Sequence, residues 1–199
     1  MLIIGITGSL GTGKTTVAKI FKRMGAIVLD ADEIARRLIE PNTPAWTRIK
    51  GYFGEGILRK DGRINRKALA KEVFSDRRRL NKLCGIIHPL VYKEIEKKVK
   101  EIKKSNAKAV VALDVPLLLE SGGRSKVDKL VVVTAARDVQ IKRAIRKFGL
   151  TRAEILQRIE AQMPLSEKER AADFIIDNKG SLSATERQAV KIWKNLARE

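Results

Sequence analysis

Hydrophobic and polar positions divide the chain into two kinds of segment that alternate along its length. Short uninterrupted apolar runs, such as residues 2–6, are typical of strands buried on both faces of a parallel sheet. Between these runs, apolar side chains recur at helical spacing, as they do from Lys14 to Gly25. Strands that alternate with helices predict a three-layer α/β fold, with helices on both faces of a parallel sheet. The predicted strands, about five in number, are residues 2–6, 26–29, 109–113, 127–133 and 173–176.

Polar residues predict where several of the helices begin. A side-chain oxygen just before a helix accepts a hydrogen bond from an unpaired backbone N–H, and a Glu three residues later completes a capping box. His88-Pro89 is predicted to open a long helix, because proline is favoured at the first helical position. The predicted caps are Asn65 and Ser75, and the predicted capping boxes begin at Thr151, Ser166 and Ser183.

Residues 8–15 match the pattern G-x-x-x-x-G-K-[ST], directly after a predicted strand and directly before a predicted helix. The glycines let successive backbone N–H groups turn toward one anion, and the helix N-terminus adds about half a positive charge. We therefore expect a phosphate loop that binds ATP, with Lys14 on the β and γ phosphates and the Thr15 hydroxyl on Mg²⁺. The residues predicted to bind the nucleotide are Gly8, Leu10, Gly11, Thr12, Gly13, Lys14, Thr15 and Thr16.

A phosphate loop identifies a nucleotide-binding protein but not its reaction. The string nearest to the guanine-binding N-K-x-D begins at Asn178 and has Ser181 in place of the acid, which argues against a GTPase. The chain is too short for a motor protein, and it carries no ABC-type signature. Small-molecule kinases remain, and these need a carboxylate near the acceptor hydroxyl and mobile arginines over the phosphates.

Acidic residues stand at the carboxyl ends of predicted strands, the edge where ligands bind in open α/β sheets. In the string Asp30-Ala-Asp32, residues two apart on a strand point the same way, so at least one carboxylate can face the transferred phosphate. The alternative role for Asp32 is that of a helix N-cap. Asp114 ends the third strand and could orient Mg²⁺ through water, or it could form the turn before Pro116.

One predicted helix is crowded with basic residues, including Arg137, Arg143 and Arg146, and has few apolar positions. Arginines that close over ATP neutralise charge in phosphoryl transfer, so this helix is a candidate lid, while a solvated basic helix is the alternative. His88, the single histidine, is a candidate binding residue, with a structural role as its alternative.

The chain carries 42 Lys and Arg against 23 Asp and Glu, a formal net charge of +19. Much of the excess lies between Arg59 and Lys108, with 17 basic and 6 acidic side chains. We predict that this segment is a helical insert that faces phosphates or solvent. The charge leaves an ATP-using nucleic-acid-binding protein as an alternative. However, aromatic residues make up only 5%, no base-reading module is recognised, and no specific nucleic-acid partner is expected.

Apolar runs such as residues 110–113 and 130–133 are far shorter than the roughly 18 residues that span a bilayer. A secretory signal needs a long apolar stretch near the start of the chain. Here the apolar run of residues 2–6 is followed directly by small and polar residues from Gly8 onward. Cys84 is the single cysteine, so no intrachain disulfide forms. We expect a cytoplasmic protein with no membrane segment.

Several strings, in order along nearly the whole chain, resemble the dephospho-coenzyme A kinase family, which completes coenzyme A synthesis. The resemblance implies transfer of the γ-phosphate of ATP to the ribose 3′-hydroxyl of dephospho-coenzyme A. A nucleoside or nucleotide kinase is the alternative within the class, since the same loop and lid serve many acceptors. The strings are residues 4–8 with the phosphate loop, 28–32, 88–90, 114–120, 140–143, Gln162 and 172–178.

The resemblance also implies roles for single residues. Asp32 would be the base or the orienter of the acceptor hydroxyl, while Lys14 and a lid arginine would stabilise the transferring phosphoryl group. Many members carry a second lid arginine four residues after the one that matches Arg143. Here that position is Lys147, preceded by Arg146, so either of these two could reach the phosphate.

The basic insert with His88 and Leu117 would hold the acceptor, and Asn178 would lie beside the adenine of ATP. The implied layout is a nucleotide-binding core of residues 1–58, 109–135 and 172–199, an acceptor-binding insert of 59–108, and a lid of 136–165. We expect a monomer or a small homo-oligomer.

Overall fold

The structure, a computed structural model, describes residues 1–196, and the predicted core range 172–199 therefore ends outside the described residues. Within residues 1–196 there are five strands and nine α-helices. The strands are β1 (Leu2–Thr7), β2 (Ile27–Asp30), β3 (Val110–Asp114), β4 (Lys129–Thr134) and β5 (Phe174–Asp177). The helices are α1 (Lys14–Arg23), α2 (Ala31–Leu38), α3 (Pro44–Phe53), α4 (Arg66–Phe74), α5 (Arg77–Ser105), α6 (Arg137–Phe148), α7 (Arg152–Glu160), α8 (Leu165–Arg170) and α9 (Leu182–Leu196).

All five strands form one parallel sheet in the order β2-β3-β1-β4-β5, and helices cover both faces, as predicted. β1 is the central strand, and its Ile6 is in register with Asp114 of β3. Asp114 is in turn in register with Asp30 of β2. The carboxyl ends of these three strands therefore meet at one edge of the sheet, where the phosphate loop leaves β1.

A continuous apolar core holds the sheet to α1 and α9. Ile4 and Ile6 of β1 and Phe21 of α1 have no exposed surface, and the rings of Phe21 and Trp193 are 5.8 Å apart between centroids. Full burial of a side chain of this size contributes roughly 1.5–3 kcal/mol. This packing fixes the direction of α1, and with it the direction of the backbone N–H groups at its start.

The chain packs into two compact units. The first unit is formed by Met1–Asp30 with the residues from Ile102 onward, and the second by Ala31–Glu101. The second unit has its own apolar core, to which Ile49, Leu69 and Ile86 contribute. The functional boundaries that the resemblance implies, at residues 59, 108 and 136, stay a prediction.

The predicted helix start at His88-Pro89 is wrong, because α5 runs without a break through Pro89. An interior proline removes one backbone hydrogen bond and costs roughly 3 kcal/mol. Apolar burial on both sides offsets that cost, since Ile86 before the proline and Val91 after it are both buried. His88 is therefore a half-buried residue in the middle of a helix.

Two of the five predicted helix caps, those at Asn65 and Thr151, are confirmed by their side-chain hydrogen bonds. The other three are wrong by one or two positions. In each case a second residue able to start a helix stands close by, and the packing of the helix decides between them. Asp76 takes the place of Ser75, Pro164 that of Ser166, and Ser181 that of Ser183.

None of the helices in the described part of the chain combines the length and the apolar character that crossing a membrane requires.

Candidate active site

The phosphate loop, residues 8–15, requires glycine at three positions. Gly8, Gly11 and Gly13 have φ values of 151°, 78° and 93°, a region that other residues rarely adopt. Space gives a second reason, because a Cβ on Gly8 would lie 2.3 Å from the Val133 carbonyl oxygen, and one on Gly13 would lie 2.1 Å from Asn178 Nδ2. The loop is thus packed against the rest of the first unit, and its glycine conformations let successive N–H groups turn toward one anion.

Lys14, the first residue of α1, is held by the loop itself. Its Nζ donates to the Ser9 carbonyl oxygen at 3.4 Å, and the same oxygen accepts from the Thr12 hydroxyl at 2.9 Å. Thr15 follows with an exposed side chain. The Thr16 N–H donates to the Gly13 carbonyl at 2.9 Å, so a contact from Thr16 to a nucleotide would share that N–H or use the hydroxyl.

Asn178, just after β5, holds the phosphate loop from behind. Its Nδ2 donates to the Thr12 carbonyl at 2.8 Å, and its Oδ1 accepts from the Thr185 hydroxyl at 2.7 Å. The side chain is buried by these contacts. The side chain therefore supports the phosphate loop, and a place beside the adenine stays a prediction. Thr185 was missed by the sequence reasoning, although a polar residue on the inward face of α9 was a signal for it.

Of the basic residues of α6, Arg143 is the one joined to this network. Its Nη1 donates to the Asn178 carbonyl at 2.9 Å. Arg146 is exposed, and Lys147 lies 5.2 Å from the centroid of the Phe148 ring. The geometry therefore favours Arg143 over its two neighbours as the basic group next to the phosphate loop.

The predicted lid has a small core of its own that includes one residue of the phosphate loop. Ile141 and Ala144 of α6 pack with Ile155 of α7, and Leu10 packs against this cluster. The lid helices are thus in direct contact with the loop. Exposed basic residues of α6 include Lys142, Arg146 and Lys147.

Gln162, which follows α7, makes a second connection between the lid and the loop. Its Oε1 accepts from the Ser9 hydroxyl at 3.0 Å and from the Leu10 N–H at 3.1 Å. The sequence reasoning quoted Gln162 within the resemblance but assigned it no role. No local pattern could have done so, because the two partners are more than 150 positions away in the chain.

The acidic residues are arranged differently from the expectation. Asp30 ends β2, whereas Asp32 lies in the first turn of α2, so the two do not share a strand and the argument from strand alternation is wrong. Asp114 is buried at the end of β3, at the edge where the phosphate loop begins. Leu117 is half-buried in the segment that follows. The roles of Asp32, Asp114 and Leu117 stay predictions.

The second unit contains a polar cleft of about 180 Å³. Three arginines and one glutamate line it, together with two isoleucines, and the Arg63 guanidinium lies 3.6 Å from the Glu40 carboxylate. The basic excess of this cleft suits an anionic ligand. The lining residues are Ile39, Glu40, Arg59, Arg63, Ile64 and Arg66.

The described residues hold no cluster of three or more His, Cys, Asp or Glu side chains that could bind a metal on its own. The Thr15 hydroxyl and the Asp114 carboxylate nevertheless supply oxygen, the ligand type that Mg²⁺ prefers. Mg²⁺ in such a site takes most of its ligands from phosphates and water, so the residues present fit a nucleotide-bound Mg²⁺.

Five parallel strands in this order, with a glycine loop that leads from the central strand to Lys14, are the architecture of the P-loop kinases, and the chain is of that class. The fold is shared with a shikimate kinase from Acinetobacter baumannii, which is 17% identical with a TM-score of 0.55 over 100% of this chain and 94% of that one.

The family model described as dephospho-CoA kinase matches residues 2–184, and the chain belongs to that family. The dephospho-CoA kinase of Carboxydothermus hydrogenoformans is 45% identical over 195 residues, 96% of this chain and 94% of the relative. A solved structure, TT1252 from Thermus thermophilus, is 35% identical with a TM-score of 0.81, and the match covers 98% and 96% of the two chains. The resemblance is confirmed: the chain is an ATP-using kinase whose small-molecule substrate is dephospho-coenzyme A.

Proposed function

We propose that the chain transfers the γ-phosphoryl group directly from ATP to the ribose 3′-hydroxyl, with the residues of the candidate site in the roles given below. The hydroxyl oxygen forms a bond to the γ phosphorus, and the bond from that phosphorus to the β–γ bridging oxygen breaks. The hydroxyl gives up its proton, and ADP and coenzyme A leave. The main support for the proposal is the phosphate loop itself, which is hydrogen-bonded to Asn178 and has Lys14 and Arg143 beside it.

Lys14 and Arg143 are proposed to stabilise the charge on the transferring group. Phosphoryl transfer passes through a loose transition state, so catalysis depends on fixed positive charge and position more than on covalent help. The Ser9 carbonyl holds Lys14, and the Asn178 carbonyl holds Arg143. Both groups are therefore held close to the phosphate loop by the protein itself, which reduces the reorganisation that catalysis requires.

Asp32 is proposed to orient the acceptor hydroxyl and to accept its proton. Its support is the match to the second acid of the D-A-D string and its place in the first turn of α2, directly after the strand that ends at Asp30. A carboxylate within hydrogen-bond reach of a hydroxyl performs both tasks.

Thr15 and Asp114 are proposed to hold Mg²⁺, Thr15 directly and Asp114 through water. When bound there, Mg²⁺ would neutralise charge on the β and γ phosphates of ATP. Thr15 lies in the first turn of α1 with its side chain exposed, and Asp114 ends the neighbouring strand β3.

The second unit is proposed to bind the acceptor, with His88 in α5 and the arginine-lined cleft as its contacts. Leu117, in the segment after β3, is proposed separately as a substrate-binding residue. Dephospho-coenzyme A carries a diphosphate, and arginine pairs with phosphate oxygens through two parallel hydrogen bonds. Arg59, Arg63 and Arg66 line one cleft, so its charge favours such a group.

We further propose that the chain works in the cytoplasm, as a monomer or a small homo-oligomer, without a specific nucleic-acid partner. Light scattering during size-exclusion chromatography measures the oligomeric state. Binding to duplex DNA is expected only at low salt, with a steep loss of affinity as salt rises. Nanomolar binding to DNA at 150 mM salt would contradict the expectation that the chain has no specific nucleic-acid partner.

The central test is an endpoint assay by mass spectrometry. Purified protein receives MgATP and a mixture of dephospho-coenzyme A, adenosine, AMP and CMP, and the acceptor that gains one phosphate is identified and fragmented. We expect phosphate on dephospho-coenzyme A alone, on its ribose. Phosphate on a nucleoside or a nucleotide would overturn the acceptor, and no transfer to any of the four would overturn the whole proposal.

A further inference from the structure

Lys168 of α8 is a charged residue with no solvent exposure at all. Its Nζ lies 2.7 Å from Glu120 Oε1 and donates to the Pro116 carbonyl oxygen at 3.1 Å. The Glu120 side chain is itself only 19% exposed. A buried ammonium group with two fixed acceptors needs an explanation, because a lysine on so short a helix would ordinarily reach solvent.

Both acceptors of Lys168 are shared with a second donor. The Thr7 hydroxyl, at the end of β1, also donates to the Pro116 carbonyl, at 3.0 Å. The Met163 N–H, in the connection between α7 and α8, also donates to Glu120 Oε1, at 3.0 Å. Lys168 is therefore the centre of a cluster that joins the strand before the phosphate loop, the segment after β3 and the end of the lid.

This cluster lies next to groups that the reaction uses. Pro116 stands between Asp114 and Leu117 and has no N–H of its own. The two donors to its carbonyl oxygen therefore act together with the Val115 N–H, which donates to the Ile6 carbonyl, to fix the chain there. On the other side, Met163 follows Gln162, whose side chain binds the backbone and hydroxyl of the phosphate loop. A shift at Lys168 would therefore reach both the Asp114 segment and the loop.

Stability alone does not account for this lysine. Taking an ion pair out of water costs free energy, and well-packed apolar residues of similar volume often replace a buried pair without loss of stability. Burial lowers the pKa of Lys168, and the hydrogen bond to Glu120 opposes that shift, which agrees with an ammonium group kept charged at a cost.

We propose that Lys168 is a positioning residue for phosphoryl transfer, which fixes the Pro116 carbonyl and the Glu120 carboxylate and so holds Asp114 and Leu117 in place relative to the phosphate loop. The proposal rests on the roles given above to Asp114 and Leu117. According to this proposal, the Lys168–Glu120 ion pair positions neighbouring groups, which an apolar pair of the same size would not do.

The test separates stability from positioning with the single variant Lys168→Met and the double variant Lys168→Met/Glu120→Leu. The single variant leaves the partly buried Glu120 carboxylate without its ammonium partner, so we expect a lower Tm. The double variant is expected to regain a Tm close to that of the unaltered protein, because the interior stays filled. Its kcat/KM for dephospho-coenzyme A is nevertheless expected to stay at least tenfold lower, with a higher Mg²⁺ concentration needed for half-maximal rate.

Arg170→Met is the matched control, since it removes an exposed charge from the same helix, and its kinetics are expected to be unchanged. Recovery of both Tm and kcat/KM in the double variant would overturn the proposal and make Lys168 purely structural. If the double variant does not fold, Glu120→Gln is used in its place, because it keeps the shape of the side chain and an acceptor oxygen. A few-fold loss of kcat/KM together with a higher Mg²⁺ requirement would support the proposal. Unchanged kinetics would overturn it. Failure of the unaltered protein to phosphorylate dephospho-coenzyme A in the same assay would instead overturn the proposed function.

Discussion

Side chains around the phosphate loop of the first unit donate hydrogen bonds to nearby backbone carbonyls, whereas many of the charged side chains of the second unit face solvent. Lys14, Arg143 and Asn178 each have a fixed partner within the first unit. In the second unit, Arg59, Arg63 and Arg66 line an open cleft and are exposed.

The difference is the one that phosphoryl transfer requires. Charge on the transferring group is best stabilised by donors that do not reorganise, whereas a long flexible acceptor is bound by groups that adapt to it. We therefore expect changes in the first unit to lower kcat or weaken nucleotide binding. Changes in the cleft of the second unit are expected to raise KM for the acceptor.

The largest effect is expected for Lys14→Ala. Removal of a fixed charge next to the transferring phosphoryl group lowers kcat about a hundredfold to a thousandfold. Steady-state rates with dephospho-coenzyme A measure the loss, and an unchanged circular dichroism spectrum shows that the fold is kept. Lys19→Ala, an exposed lysine on the same helix, is the control. A variant with near-normal kcat would remove Lys14 from its proposed role.

Asp32→Asn tests the role proposed for the carboxylate in the first turn of α2. We expect a loss in kcat of about a hundredfold, the low end of the range for general acid–base groups, with the Kd for ATP unchanged by calorimetry. Glu33→Gln, in the same turn of α2, is the control and is expected to retain full activity. Unchanged turnover in Asp32→Asn would remove Asp32 from its proposed role. The alternative role of helix N-cap is wrong, because α2 begins at Ala31, before Asp32.

Thr185→Val removes the hydroxyl that orients the Asn178 amide while it keeps the shape of the side chain. Loss of one buried hydrogen bond costs about 1–3 kcal/mol, and we expect part of it as a KM for ATP raised about tenfold. Thr185→Ser keeps the hydroxyl and should restore the KM. If the Thr185→Val and Thr185→Ser variants have the same KM for ATP, the hydrogen bond has no influence on the phosphate loop.

Arg66→Gln is expected to raise KM for dephospho-coenzyme A about fivefold. The increase is small because an exposed charge pairs with phosphate only weakly. The KM for ATP should stay the same. Arg48→Gln, an exposed arginine of α3 outside the cleft, is the control. Equal effects of both variants would show that net charge, and not the cleft, attracts the acceptor.

The smallest effect concerns Cys84 in α5. Burial raises the pKa of its thiol, so the reactive thiolate is scarce at pH 7. We expect iodoacetamide to modify Cys84 several times more slowly than free cysteine at pH 7, as followed by intact-mass spectrometry. Modification as fast as that of free cysteine would show that this part of α5 opens readily in solution.

The sheet and the phosphate loop were predictable because their signals are local. The three inner strands β1, β3 and β4 are buried on both faces and are therefore apolar runs, and the loop needs glycines where φ is positive. The start at Pro89 was predicted incorrectly because burial on both sides of the proline outweighs its local preference. Gln162, Thr185 and Lys168 were missed because what they do depends on contacts that only the folded chain creates.

The central claim is that the first unit binds the nucleotide and the second unit binds the acceptor. Hydrogen–deuterium exchange tests it most directly, with the protein alone, with a non-hydrolysable ATP analogue plus Mg²⁺, and with dephospho-coenzyme A. We predict that the analogue slows exchange in residues 8–16 and around Asn178, and that dephospho-coenzyme A slows exchange within residues 59–101. Slower exchange in the first unit alone, whichever ligand is added, would contradict the account.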